Sequence, residues 1–277
     1  MEVLYGLHPV EEAVRSGARR LDSVILARES LDARMDGRSR NPRLDQLALA
    51  CRAAGVRVSL EPREQLTRLA RTDAHQGALA LVRERAFLTI EDLLAPTTDP
   101  APRHRFFLAL DGIEDPHNLG ALLRTADGAG VDGVILPERR SAPVTATVAK
   151  TSAGASEHVR IARVTNLVRA LEQMKRANLW VLGLDERGSP DYTAFDFRTG
   201  CVLVLGREGS GLHDLVKKTC DHLLRIPMAG QVSSLNVSVA GAIVMYEALR
   251  QRTATAPPAA PAFVKPASTR PRKGLGS

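Results

Sequence analysis

The chain has 277 residues, 44% hydrophobic and only 4% aromatic, enough for aliphatic packed cores and, at this length, for two domains. Its formal net charge of +7 favours a polyanionic partner, with nucleic acid first. No apolar run reaches the roughly 18 residues of a membrane span, the acidic start MEVLYGLHPVEEAV is unlike a signal peptide, and three cysteines without CxxC spacing fit neither a disulfide framework nor a zinc site, so a cytoplasmic, metal-free protein is expected.

Residues 1–82 alternate β-rich runs with helical patterns: SVILARE, LDQLALACRAAG, VRVSLEP, REQLTRLAR and QGALALV. They form a small α/β unit. The arginine-rich stretch RESLDARMDGRSRNPR, residues 28–43, interrupts it without a core pattern and suits an exposed loop, either touching phosphates or simply solvated. Residues 83–105 carry three prolines and little periodicity after Leu94, as a linker would. Over 106–252 the runs FFLALDGI, VDGVILP, VRIARV, WVLGLDE, CVLVLGRE and HLLRIP alternate with helical patterns. Continuous apolar strands of this kind predict a doubly wound parallel sheet covered on both faces. Residues 253–277, rich in Pro and Ala with basic but no acidic residues, read as a disordered tail that either attracts RNA or only solubilises.

Three stretches of the second α/β unit place glycines, amides and charges after predicted strands, where open α/β sheets bind ligands. In HNLGALLRTA, residues 117–126, Leu119, Leu122, Leu123 and Ala126 make one apolar helical stripe, and Arg124 falls well off it. Asn118 stands at the helix start, as an N-cap or as a functional amide. LVLGREGSGL, residues 203–212, sets Glu208 on a glycine-rich turn; its glycines are spaced GxxGxG, unlike a dinucleotide fingerprint. IPMAGQVSSLNVSVAGAIVMYEALR, residues 226–250, leads into the last helix, with Ser234 and Asn236 where a cap belongs. No GKS or GKT, no HExxH and no GxSxG occurs, so triphosphate, zinc-hydrolase and serine-hydrolase sites are unsupported.

These three stretches resemble the three motifs of the SpoU family of RNA ribose 2′-O-methyltransferases, also called the TrmH family: Asn118 and Arg124 in the first, Glu208 in the second, IPMAGQVSSLNVSVA as the third. YGLHPVEEAVRSG and HQGALALV resemble the ribosomal-protein-like substrate-binding domain of that family. The resemblance implies a C-terminal SPOUT sheet domain with a deep trefoil knot, a feature pattern alone does not predict. It further implies S-adenosylmethionine as methyl donor, RNA as substrate and a homodimer whose active site draws on both chains. Members with this arrangement include one that methylates a guanosine ribose of 23S ribosomal RNA. Transfer RNA, another ribosomal position and a noncatalytic RNA-binding scaffold stay open.

Within that resemblance Asn118, Arg124, Glu208, Ser234 and Asn236 are the expected catalytic set, and Gly206, Ile226 and Leu235 the expected cofactor contacts. The difficulty of the implied reaction is the weak ribose nucleophile, and a fixed guanidinium at Arg124 would stabilise developing alkoxide charge. Arginine keeps its proton in proteins, which favours activation by charge and position over general-base action.

Overall fold

The structure is a computed structural model that describes residues 1–29, 34–35, 38–39, 41–96 and 104–254. Most of the arginine-rich stretch, part of the expected linker and all but the first two residues of the expected tail lie outside the described residues.

The N-terminal part is built on strands β1 (Glu2–Tyr5), β2 (Leu21–Ala27), β5 (Val58–Glu61) and β6 (Ala78–Val82), in spatial order β1-β6-β2-β5, while the two-residue strands β3 (Arg34–Met35) and β4 (Arg38–Ser39) pair with each other. Side chains alternate across a strand, so Val24 and Leu26 face one way and Ile25 and Ala27 the other. The first set packs with Val10 of α1 (Leu7–Ser16) and Leu44 and Leu47 of α2 (Pro42–Ala53). The second packs with Leu66 of α3 (Arg63–Ala70). Neither β1 nor α1 was expected as an element; Gly6, with φ 100°, turns the chain sharply between them.

Beyond it, β7 (Phe106–Leu110), β8 (Gly133–Pro137), β9 (Ile161–Val164), β10 (Trp180–Leu184), β11 (Cys201–Leu205) and β12 (His222–Leu224) form one parallel sheet in the order β12-β10-β11-β7-β8-β9. The six apolar runs read from the sequence supply these six strands. Phe106, Leu108 and Leu110 bury one face against α5 (Pro116–Gly128) and α9 (Val237–Thr253). Phe107 and Ala109 bury the other against α4 (Ile90–Leu94) and α7 (Leu167–Arg176). Helices α6 (Ala146–Thr151) and α8 (Asp214–Thr219) complete the layers.

The expected linker is partly structured. Thr89 caps α4 in a capping box with Asp92, and Leu93 is wholly buried in the sheet domain. Periodicity misses so short a helix.

Glu157, in a 3-10 turn after α6, accepts from Arg85 at 2.8 Å and lies 3.5 Å from Arg19, with all three side chains almost fully buried. Arg19 also pairs with Glu2. Removing one partner of such a buried pair leaves an uncompensated charge and costs about 3–5 kcal/mol. Through Arg19 the pairing joins the N-terminal unit to the turn after α6. α6 in turn abuts α5: a Cβ on Gly120 would fall 2.6 Å from the Thr151 side chain.

Candidate active site

Chain order reverses between β7 and β11: from β7 the sheet grows through β8 to β9, and the chain then crosses to β10 on the other side. Ligands of open parallel sheets bind outside the carboxyl ends of strands at such a switch point. Two loops meet there, residues 111–115 after β7 and 206–213 after β11, and the Asp111 amide donates to the Leu205 carbonyl at 2.8 Å.

The first loop turns at Gly112, φ 80°, and enters α5 with Pro116 at its first position. Asp115 is the cap, its Oδ1 accepting from the His117 amide at 2.9 Å. Asn118 is therefore not a cap: it is buried inside the first turn, and its amide is free for another role. The apolar stripe Leu119, Leu122, Leu123 and Ala126 is wholly buried, as its spacing predicted.

The second loop folds back on itself, Arg207 and Gly211 bonding each other's backbone at 3.0 and 2.9 Å, with Gly209 and Gly211 at positive φ. Gly206 is required by this turn: a Cβ there would sit 2.2 Å from the Gly211 carbonyl carbon. Glu208 projects from the tip, exposed.

Asn236 caps α9 and serves the site at once. Its Oδ1 accepts from the Ser238 amide at 2.9 Å, while its Nδ2 donates to Asn118 Oδ1 at 3.0 Å and to Glu208 Oε1. Asn118 Nδ2 donates to the same Glu208 oxygen at 3.1 Å. Three segments far apart in sequence thus hold one carboxylate by two amides, and Glu208 Oε2 has no donor among the described residues.

Arg124 is not part of this cluster. It is exposed and makes no hydrogen bond or ion pair with any described residue. Six residues from Asn118 on an α-helix is about 120° around the axis and about 9 Å along it, so the two side chains leave on different faces.

Beside the cluster opens a cavity of about 570 Å³, whose lining includes Gly206, Glu208, Ile226, Ser234 and Leu235. Ser234 is exposed at this cavity and has no hydrogen bond among the described residues. Asp185, also lining it, accepts from Lys217 at 2.7 Å. Burial pushes the Asp185 carboxyl up, but the Lys217 ammonium and the Arg187 amide outweigh it and hold the group below its ordinary value. Sequence reasoning missed Asp185; its place directly after β10, at the carboxyl edge of the sheet, was the available signal. The described residues contain no group of three His, Cys, Asp or Glu placed to hold a metal ion, and no helix long and apolar enough to cross a membrane.

Residues 105–246 match the SpoU rRNA methylase family, and residues 3–88 match the RNA 2′-O ribose methyltransferase substrate-binding family. The chain is 40% identical over 257 residues to the 23S rRNA (guanosine-2′-O-)-methyltransferase RlmB of Escherichia coli K12, covering 91% of this chain and 99% of that one. It is also 40% identical over 253 residues to the enzyme of the same name from Ralstonia nicotianae, covering 91% and 96%. Among solved structures, an AdoMet-bound rRNA methyltransferase from Sinorhizobium meliloti superposes with a TM-score of 0.71 at 26% identity, over 90% of this chain and 87% of that one.

Proposed function

The chain belongs to the SpoU rRNA methylase family, and on that premise we propose that it transfers the methyl group of S-adenosylmethionine to the ribose 2′-hydroxyl of a guanosine in 23S ribosomal RNA. The observation that carries the proposal is the convergence of Asn118, Glu208 and Asn236 at the mouth of the cavity. A cytoplasmic location follows from that substrate. The chain divides accordingly into an RNA-binding unit over 1–82, a connection over 83–105, the methyltransferase unit over 106–252 with the family's knotted threading, and a basic tail over 253–277.

The cavity fits the cofactor in size and character. About 570 Å³ lies within the range of small-molecule sites. Ile226, Leu235 and Val237 offer apolar contact, and Asp185 and Glu208 suit a cationic ligand. S-adenosylmethionine bound there supplies a methyl carbon made electrophilic by its sulfonium. The residues around it must orient the ribose oxygen and lower the cost of its losing a proton.

Glu208 Oε2 is open to a ribose hydroxyl, while the amides of Asn118 and Asn236 fix the carboxylate so that its direction is set before substrate arrives. Ser234 extends the same polar rim. Arg124 stabilises the developing alkoxide as a permanent cation. Since Arg124 leaves α5 on another face than Asn118, a second protomer supplies it. Exposed Val239 and Tyr246, seven residues apart on α9, give that homodimer an apolar contact stripe.

Calorimetric titration with S-adenosylmethionine tests the enzyme against an RNA-binding scaffold of the same fold. One binding event per chain is expected; absence of heat and of any shift in melting temperature would mark the chain as a scaffold.

A further inference from the structure

Beside the Glu208 cluster, on the β8 side, lies a second constellation that the reaction outlined above does not use. Buried Asp111 accepts from the His213 amide at 2.7 Å and from His213 Nδ1 at 2.8 Å. The other ring nitrogen, His213 Nε2, meets two guanidiniums: Arg207 Nη2 at 3.1 Å and Arg140 Nη1 at 3.5 Å. Because both guanidiniums can only donate, Nε2 is the acceptor and Nδ1 carries the proton given to Asp111.

Three features leave these two arginines available to an anion. Arg15, Arg43, Arg198, Arg225 and Arg250 each lie against a carboxylate, whereas among the described residues neither Arg140 nor Arg207 has one within ion-pair distance. Arg207 Nε is shut off from solvent and has no acceptor. Arg140 sits at φ 59°, in the left-handed region that non-glycine residues adopt uncommonly. Space has been cleared as well, since a Cβ on Gly112 would fall 2.7 Å from Arg207 Cγ. The Ala142 amide donates to the Ile113 carbonyl at 2.8 Å, which ties the Arg140 loop to the loop leading to Asn118.

We propose that Arg140 and Arg207, aligned by His213 and Asp111, form a phosphate-binding subsite for the RNA strand beside the methylated nucleotide. Two guanidiniums against one carboxylate leave surplus positive charge, and a neutral acceptor orients them without quenching it. Planar forks suit phosphate oxygens. Arg207 also lines the cavity and adjoins Glu208 in the chain, so a phosphate held here fixes the register of the neighbouring ribose. His213 and Asp111 are positioning residues. The subsite rests on RNA being the substrate.

The test measures binding of a labelled 23S rRNA fragment to the full chain by fluorescence anisotropy across a range of potassium chloride concentrations, for wild type, Arg140→Gln, Arg140→Lys and the double variant Arg140→Gln/Arg207→Gln. Each phosphate contact contributes about 0.7–0.9 to the slope of log affinity against log salt. Arg140→Gln is expected to flatten the slope by about that amount and to weaken binding about tenfold. The double variant should flatten it about twice as far, and Arg140→Lys should keep most of it. Arg140 does not line the cavity, so Arg140→Gln should keep its affinity for S-adenosylmethionine and its melting temperature. Wild-type slope and affinity in both glutamine variants would overturn the subsite, as would loss of cofactor affinity in Arg140→Gln with RNA binding intact. Ribose methylation by the wild type, assayed on the same RNA, reports separately on the proposed reaction; a wild type that binds no RNA overturns both.

Discussion

Asn118 Nδ2 donates to Glu208 Oε1 at 3.1 Å, joining residues 90 positions apart across the switch point of the sheet. The pair depends on opposite hydrogen-bonding character: an amide can donate, a second carboxylate cannot. Asn118→Asp therefore sets two like charges about 3 Å apart, which raises the proton affinity of one of them. Turnover by Asn118→Asp should fall about a hundredfold at pH 8 and recover partly on acidification, as one carboxyl takes up a proton and becomes a donor. Steady-state kinetics against pH check this; a profile parallel to wild type would contradict it.

Arg124 makes no structural contact among the described residues, so Arg124→Ala should leave stability within about 0.5 kcal/mol of wild type while reducing turnover by about a thousandfold. Asn118→Ala should be inactive too. Mixed and allowed to exchange subunits, the two variants should regain about a quarter of wild-type activity, because half the dimers are mixed and each carries one intact site. No recovery after proven exchange would place Arg124 and Asn118 in the same chain's site.

Gly206 tests the turn separately from the chemistry. Alanine there drives a Cβ against the backbone of Gly211 and Leu212, which cannot give way like a flexible side chain. Gly206→Ala should lose both cofactor binding and several degrees of melting temperature, whereas Gly209→Ala, with open space around its Cβ and only its positive φ to pay for, should lose less. Equal melting temperatures in the two variants would show that the turn tolerates what its geometry forbids.

His75 predicts a pH dependence of the N-terminal unit. It is wholly buried, its Nδ1 accepts from the Gly77 amide at 3.1 Å and its Nε2 meets the Thr67 hydroxyl at 3.1 Å. Burial, with Arg63 adding to it, pulls its proton affinity below the usual value. The unfolded chain then binds the proton more readily than the folded one, so this contribution to stability is complete above about pH 6.5 and is lost as pH falls from there toward the depressed native value. Melting temperature should drop between about pH 7.5 and pH 5.5, and His75→Gln should flatten the drop. An unchanged drop in the variant would assign it to other groups.

Much of this fold is visible in the chain as written. The six apolar runs of residues 106–224 are strands because both faces of a parallel sheet are buried, and the stripe through Leu119, Leu122, Leu123 and Ala126 fixes α5. Local pattern is enough for these. Sequence leaves Asn118 open as a cap or as a functional amide, because either Asp115 or Asn118 can cap α5 and only the chain's path selects Asp115. α4 escaped notice because five residues are too few for periodicity to register. The site was legible only in part. Motif resemblance singled out Asn118, Glu208 and Asn236, but their shared hydrogen bonds, the absence of Arg124 from them, and the Asp111–His213 pair all depend on which strands lie side by side.

Methyl transfer to a ribose oxygen is tested most directly by incubating the purified chain with S-adenosylmethionine and unmodified 23S rRNA, then mapping modified nucleotides by digestion and mass spectrometry. A single 2′-O-methylguanosine, absent when Glu208→Ala replaces the wild type, is the expected result. A methyl group on a nucleobase, or RNA left unmodified by a chain that binds both donor and RNA, would contradict the assignment.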